Sequence, residues 1–195
     1  MRGVSADLVR DAVLRLLEEA AGRADGVVPI VRAGNPVLRA AAQPYDGQLA
    51  DDELAALLAV MHRTMRAAPG VGLAAPQIGL PLALAVIEDP TSGDERRDTE
   101  RERLVVPFRV LVNPRYEALG DELAAFDEGC LSVPGYAAVV ARARRVRLSG
   151  YDERGTALDE ELVGWPARIV QHETDHLAGT LYLDKADLRT LTATG

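Results

Sequence analysis

The sequence predicts an α+β fold, with small antiparallel sheets packed around a central helix and a further helix at the N-terminus. Three observations predict it. Three segments carry apolar residues at helical spacing, a series of short strand-like runs is joined by turn residues, and the helices are segregated from the strands rather than alternating with them. The chain has 195 residues, a length that suits one domain, and 48% of them are apolar, enough for a sizeable core without a disulfide. With 27% charged residues it also lies near globular averages, which excludes a disordered chain.

In order, Leu8, Ala12, Val13, Leu16 and Leu17 recur at helical spacing and predict a helix over 6–21, with Ser5 or Asp7 as its cap. Gly22 to Gly26 ends it, and Val27 to Arg32 reads as a short strand or an extended arm. Gly34, Asn35 and Pro36 make a turn. Leu54, Leu57, Leu58, Met61 and Met65 form one stripe of a second helix over 50–66. Residues 68–81, APGVGLAAPQIGLP, hold too many glycines and prolines for a helix. Leu82 to Ile87 reads as a strand, and the charged run 89–103 as an exposed loop. Leu104 to Val112 follows as a strand, with Asn113-Pro114 as a turn. Further strands are predicted at Leu123 to Phe126, Val146 to Tyr151 and Ala157 to Val163, the last two joined by a hairpin turn at Asp152 to Gly155. Trp165 to Leu177 is the third helix. Residues 1–27 thus form a helical extension, 28–188 a single domain and 189–195 a tail.

Lys and Arg total 22 against 30 Asp and Glu, a net charge of −8 that weighs against DNA binding, which needs a basic face. There is one cysteine, Cys130, so no intramolecular disulfide can form, and a reducing compartment is expected. No run of 18 apolar residues is present to span a membrane, and the first 25 residues lack a secretory signal, so a cytoplasmic location is expected.

The chemistry concentrates in His172-Glu173-Thr174-Asp175-His176. Residues four apart on a helix share a face, about 5–6 Å apart at Cβ, so His172 and His176 can hold one divalent metal. Glu173 then lies beside the open position, where it can take a proton from water. The alternative is two surface histidines on a polar turn. The apolar Ile169 and Val170 upstream favour burial, and buried histidines need partners. His62, on the polar part of the second helix, reads as a surface residue. A hydrolytic site uses three protein ligands. Downstream stand Asp184 and Asp187, but no His or Glu. Cys130, in Glu128-Gly129-Cys130-Leu131-Ser132, is the remaining soft candidate, against the ordinary reading of a lone cysteine as a buried thiol. A thiolate with two imidazoles suits Zn or Fe(II). Gly70-Val71-Gly72 lets a backbone approach a ligand closely, and Gln77 is an amide donor able to stabilise charge on a carbonyl oxygen.

Together these segments resemble the peptide deformylase family. Its GxGLAAPQ loop, EGCLS turn and QHExxDHL helix stand here at Gly70 to Gln77, Glu128 to Ser132 and Gln171 to Leu177, within a resemblance spanning about residues 28 to 188. The phrases APGVGLAAPQIG, GWPARIVQHETDHL and LYLDK look most like the organelle-type branch. The resemblance implies that Cys130, His172 and His176 bind one metal per chain, Fe(II) in the cell, with Zn, Ni or Co in purified protein. It implies that Glu173 moves the proton while Gln77 and the Leu131 N–H hold the oxyanion, and that formate is released from N-formyl-Met nascent peptides. Val71, Gly72 and Gly129 would bind the substrate, with Val71, Phe126, Trp165 and Ile169 around its Met side chain. Glu128 and Gln171 would steady the ligands from behind. As partners it implies nascent chains, the ribosome near the exit tunnel, and a monomer or homodimer. Ala137 and Ala141 stand where the family commonly has Arg and Pro. An HExxH peptidase of another type, or a member that binds without catalysis, are the alternatives. The intact Glu173 and Gln77 disfavour the second, and the missing downstream ligand disfavours the first.

Overall fold

The computed structural model describes residues 6–90 and 93–194. Its helices are α1 (Ala6–Ala21), α2 (Asp51–Ala67), α3 (Glu95–Glu100) and α4 (Gly164–Leu177). Its strands are β1 (Gly72–Ala74), β2 (Leu84–Asp89), β3 (Val106–Ala118), β4 (Leu123–Cys130), β5 (Val133–Ala143), β6 (Arg145–Tyr151), β7 (Ala157–Val163) and β8 (Ala186–Ala193). They form a five-stranded sheet in the order β1-β2-β3-β6-β7 and a three-stranded sheet in the order β4-β5-β8, and every pairing is antiparallel. The fold class is the one expected.

Helix α1 buries Val9, Val13, Leu16 and Ala20, and they join one core with Leu57, Met61 and Met65 of α2 and with β1 and β2. Each large side chain so buried is worth about 1.5–3 kcal/mol, which fixes the extension to the body. Arg10 adds a two-pronged contact to Glu53, at 2.6 Å for its closest pair. Ser5, named above as a cap, lies outside the described residues.

Several elements differ from expectation for local reasons. Val27 to Arg32 forms no strand, which leaves the arm reading of that segment. Asn113-Pro114 does not turn the chain. Asn113 takes a left-handed φ of 51° inside β3, its side chain bonds the Tyr45 backbone, and the strand continues after a register shift between Val112 and Arg115. The run 89–103 is not all loop. Asp94 accepts from the Arg96 and Arg97 N–H groups and starts α3. Strand β5 was not foreseen, and the segment expected as a tail continues β8 as far as Ala193. His62 is half-buried, with its ring 4.1 Å from that of Phe108 and its Nε2 2.7 Å from Glu88.

Helix α4 packs Ala167, Ile169, Val170 and Leu177 inward, and Ile169, Val170 and Leu177 share a core with Ala85, Ile87, Leu111 and Leu148 of the larger sheet. The helix ends in a double closure. Gly179 N–H bonds His176 O at 3.1 Å and Thr180 N–H bonds Asp175 O at 2.9 Å, with Gly179 at φ +77°. A Cβ at Gly179 would also meet the Arg39 backbone at 2.8 Å. Gly179→Ala is therefore expected to cost about 1–3 kcal/mol, readable as a lower urea midpoint at unchanged slope.

Candidate metal centre

Two elements bring the donors together. Strand β4 ends at Cys130, in a tight turn into β5, and α4 passes with His172 and His176 on one face. The ligand atoms of Cys130, His172 and His176 all lie within 4.8 Å of one another. Cys130 Sγ is 3.2 Å from His176 Nε2, and the two imidazoles meet edge-on at 74° with centroids 4.9 Å apart. The Ser132 N–H points at the sulfur from 3.4 Å, a contact that stabilises negative charge there.

Each donor is oriented from behind. His172 Nδ1 bonds Glu128 Oε1 at 2.6 Å, which leaves its Nε2 for a ligand. Glu128 is itself held by Arg142 at 2.5 and 2.8 Å and by Arg168 at 2.7 Å. Arg142 also reaches Asp175 at 2.7 Å, and Asp175 takes Lys185 at 2.7 Å and the Tyr116 hydroxyl at 3.0 Å. Burial opposes the charge on Glu128, yet Arg142 and His172 overcome it and hold the carboxyl well below the usual range. Burial likewise opposes the charge on His172, but Cys130 and Glu128 raise its pKa. Burial and the charge of His172 lower that of His176. The donor set thus attracts positive charge, which a divalent cation would satisfy. Gln171, expected behind the ligands, ties α4 to β5 through the Ala143 carbonyl at 2.9 Å.

Glu173 is 3% exposed, and its Oε2 has no hydrogen-bond partner. Burial pushes its pKa up to about 7. A carboxyl so placed is suited to exchanging a proton with a reactant. Gly72 faces it directly, and a Cβ there would overlap the Glu173 carboxyl. Gln77 is 1% exposed and its amide is fixed in direction. Its Oε1 accepts from Ala74 N–H at 2.9 Å, so its Nε2 points at Ser132 Oγ, 3.3 Å away, and at Cys130 Sγ, 3.6 Å away.

These groups open into a cavity of about 870 Å³ whose walls include Val71, Gly72, Gln77, Gly129, Cys130, Leu131, Trp165, Ile169, His172 and Glu173. His176 lies behind it, 1% exposed. Phe126 does not line it; the Phe126 ring lies under the guanidiniums of Arg101 and Arg168, 5.1 and 5.5 Å from its centroid. Ala137 lines the cavity, and Ala141 pairs with Ala125 in the β4–β5 ladder. Sequence reasoning missed Arg142, Arg168 and the role of Asp175. The available signal was Arg168 one turn before His172, and Asp175 one turn after it, on the inward face of the motif helix.

A thiol and two imidazoles around one point, beside a buried glutamate and a directed amide, define a metal-dependent hydrolase of the HExxH type. Comparisons narrow the class. Residues 27–191 match the family model described as polypeptide deformylase. Peptide deformylase 3 of Streptomyces avermitilis is 62% identical over 86% of this chain and 75% of its own length. The chloroplastic peptide deformylase 1A of Solanum lycopersicum is 44% identical over 83% of this chain and 60% of its own. A class I type b peptide deformylase of Acinetobacter baumannii, solved with Met-Ala-Ser bound, superposes with a TM-score of 0.72 at 32% identity over 82% of this chain and 98% of its own. The chain belongs to the peptide deformylase family, metal-dependent enzymes that remove the N-formyl group from the formyl-methionine of new polypeptides and release formate. No helix among the described residues is long and apolar enough to cross a membrane.

Proposed function

We propose that this chain deformylates nascent N-formyl-Met peptides in the cytoplasm, with Cys130, His172 and His176 as ligands of Fe(II), for which Zn, Ni or Co can substitute. The observation that carries the reading is the convergence of these three donors beside Glu173 and Gln77. The bound cation would supply Lewis acidity, easing deprotonation of water and polarising the formyl oxygen. Glu173 takes a proton from the attacking water as its oxygen bonds to the formyl carbon. The carbonyl oxygen gains charge, and the Gln77 Nε2–H and the Leu131 N–H hold it. The C–N bond then breaks, Glu173 delivers the proton to the leaving amine, and formate and a free Met peptide depart.

The substrate is held by strand addition. Among the described residues β1 pairs with β2 alone and β4 with β5 alone, so each keeps an edge with no strand partner, and Gly70 to Gly72 and Gly129 line the cavity. An extended peptide can bond to such edges, its Met side chain lying along Val71, Trp165 and Ile169. The A. baumannii relative solved with Met-Ala-Ser supports a tripeptide product of that kind here. Docking on the ribosome near the exit tunnel and work as a monomer or homodimer belong to the same proposal. Anaerobic purification followed by metal analysis and a formate assay on formyl-Met-Ala-Ser tests it. One iron per chain and stoichiometric formate are expected. Cleavage of internal peptide bonds without formate would overturn it.

A further inference from the structure

We propose that Arg97 and Arg101, carried by the insertion between β2 and β3, make one wall of the cavity cationic and select peptides with an acidic side chain just after the formylated residue. The proposal rests on the deformylase reading and adds a substrate preference to it.

The insertion is fastened down by its other charges. Arg103 grips the buried Asp89 at 2.7 and 2.8 Å, Glu102 pairs with Arg144 at 2.6 and 2.7 Å, and the Trp165 backbone N–H reaches the Glu102 carbonyl. Arg168, also on the cavity, is committed to Glu128 at 2.7 Å. Arg97 and Arg101 both line the cavity, and neither has a carboxylate within ion-pair distance among the described residues. Arg101 is nevertheless held in place. Its guanidinium stacks over the rings of Trp165 and Phe126, 4.9 and 5.1 Å from their centroids, and donates to the Asp127 carbonyl at 3.3 Å. Partial burial, and then the charge of Arg97, make its cation less comfortable than in water.

Three acids share the cavity. Glu128 is consumed by arginines and Glu173 faces the reaction centre, which leaves the exposed Asp127 as the carboxylate opposing two cations, with Glu100 acting on Arg101 from α3. Ala137, which also lines the cavity, adds no charge. Among the groups that line the cavity, two cations thus face one carboxylate not already engaged, so this wall can take up an anion although the chain carries a net charge of −8. Trp165 is two helical turns from His172 and Glu173, about 10 Å at 1.5 Å per residue. An extended peptide covers that distance in about three residues. Because Trp165 also flanks the Met side chain in the deformylase reading, the Arg101 guanidinium stacked on it stands next to the Met subsite, within reach of the side chain that follows.

The test compares kcat/KM for formyl-Met peptides bearing Glu, Ala or Lys at the second or third residue. The wild-type chain is expected to favour Glu over Lys by about five- to tenfold at low salt. The ratio should fall towards unity at about 0.5 M NaCl, where screening is strong, a measurement that needs no variant. It should fall likewise in Arg97→Gln/Arg101→Gln. A ratio that is the same in wild type and double variant, insensitive to salt, or in favour of Lys overturns the preference alone. A wild-type chain that releases no formate even from the Ala peptide overturns the deformylase reading instead.

Discussion

Glu173→Gln is expected to lower formate release by about 10²–10⁴-fold, the range for losing a positioned general acid–base. The metal content of the purified protein should stay at the wild-type level, because Glu173 is not among the three donors. Glutamine keeps the size of the side chain, so the buried position opposite Gly72 stays filled. What is lost is the ability to take a proton and return it. The carboxylate is buried without a partner on Oε2 and its pKa is pushed up to about 7, which makes it able to do both near neutrality. A variant with near-normal kcat and normal metal content would show that another group moves the proton.

The second large effect concerns stability. Arg142 is buried, and its guanidinium joins Glu128, behind His172, to Asp175 on the next turn of α4. Arg142→Leu would leave two buried carboxylates with less compensation, the case in which breaking a buried pair costs about 3–5 kcal/mol. Arg168 would still hold Glu128 and Lys185 would still hold Asp175, so the low end of that range is expected. Urea unfolding of the metal-loaded protein reads it directly. The exposed Arg147–Asp159 pair, with closest contacts of 2.6 Å, should tolerate the equivalent change with little effect, because exposed pairs are solvated in both states. Equal sensitivity at the two sites would contradict the claim that burial sets the cost.

Much of this was legible in sequence for a simple reason. The HExxH spacing is local, so a helix alone aligns His172 with His176, and α1 and α2 announce themselves by periodicity. Other features depend on partners far along the chain. Strand β5 reads poorly because Tyr136, Ala137 and Ala138 lack the branched run that marks a strand, and it is held by pairing with β4 and β8 on both sides. Asn113-Pro114 carries turn chemistry, yet the Tyr45 backbone captures the Asn113 side chain and the strand runs through. The run 89–103 looks like solvent-facing loop because its charges are dense. In the fold, Arg103 pairs with Asp89 inside the run, Arg144 takes Glu102, and Arg101 lies over the aromatic rings. The charges behind the donors could not be paired by inspection, since Glu128, Arg142 and Asp175 meet only where α4 packs against the paired β4 and β5.

The three donors belong to different layers. Cys130 closes a hairpin of the smaller sheet, whereas His172 and His176 ride a helix seated on the larger one. A cation held by all three would act as a rivet through the seam, beside the Gln171–Ala143 and Arg142–Asp175 bonds that already cross it. Occupancy of that site would then be expected to raise the molecule's stability as well as its activity.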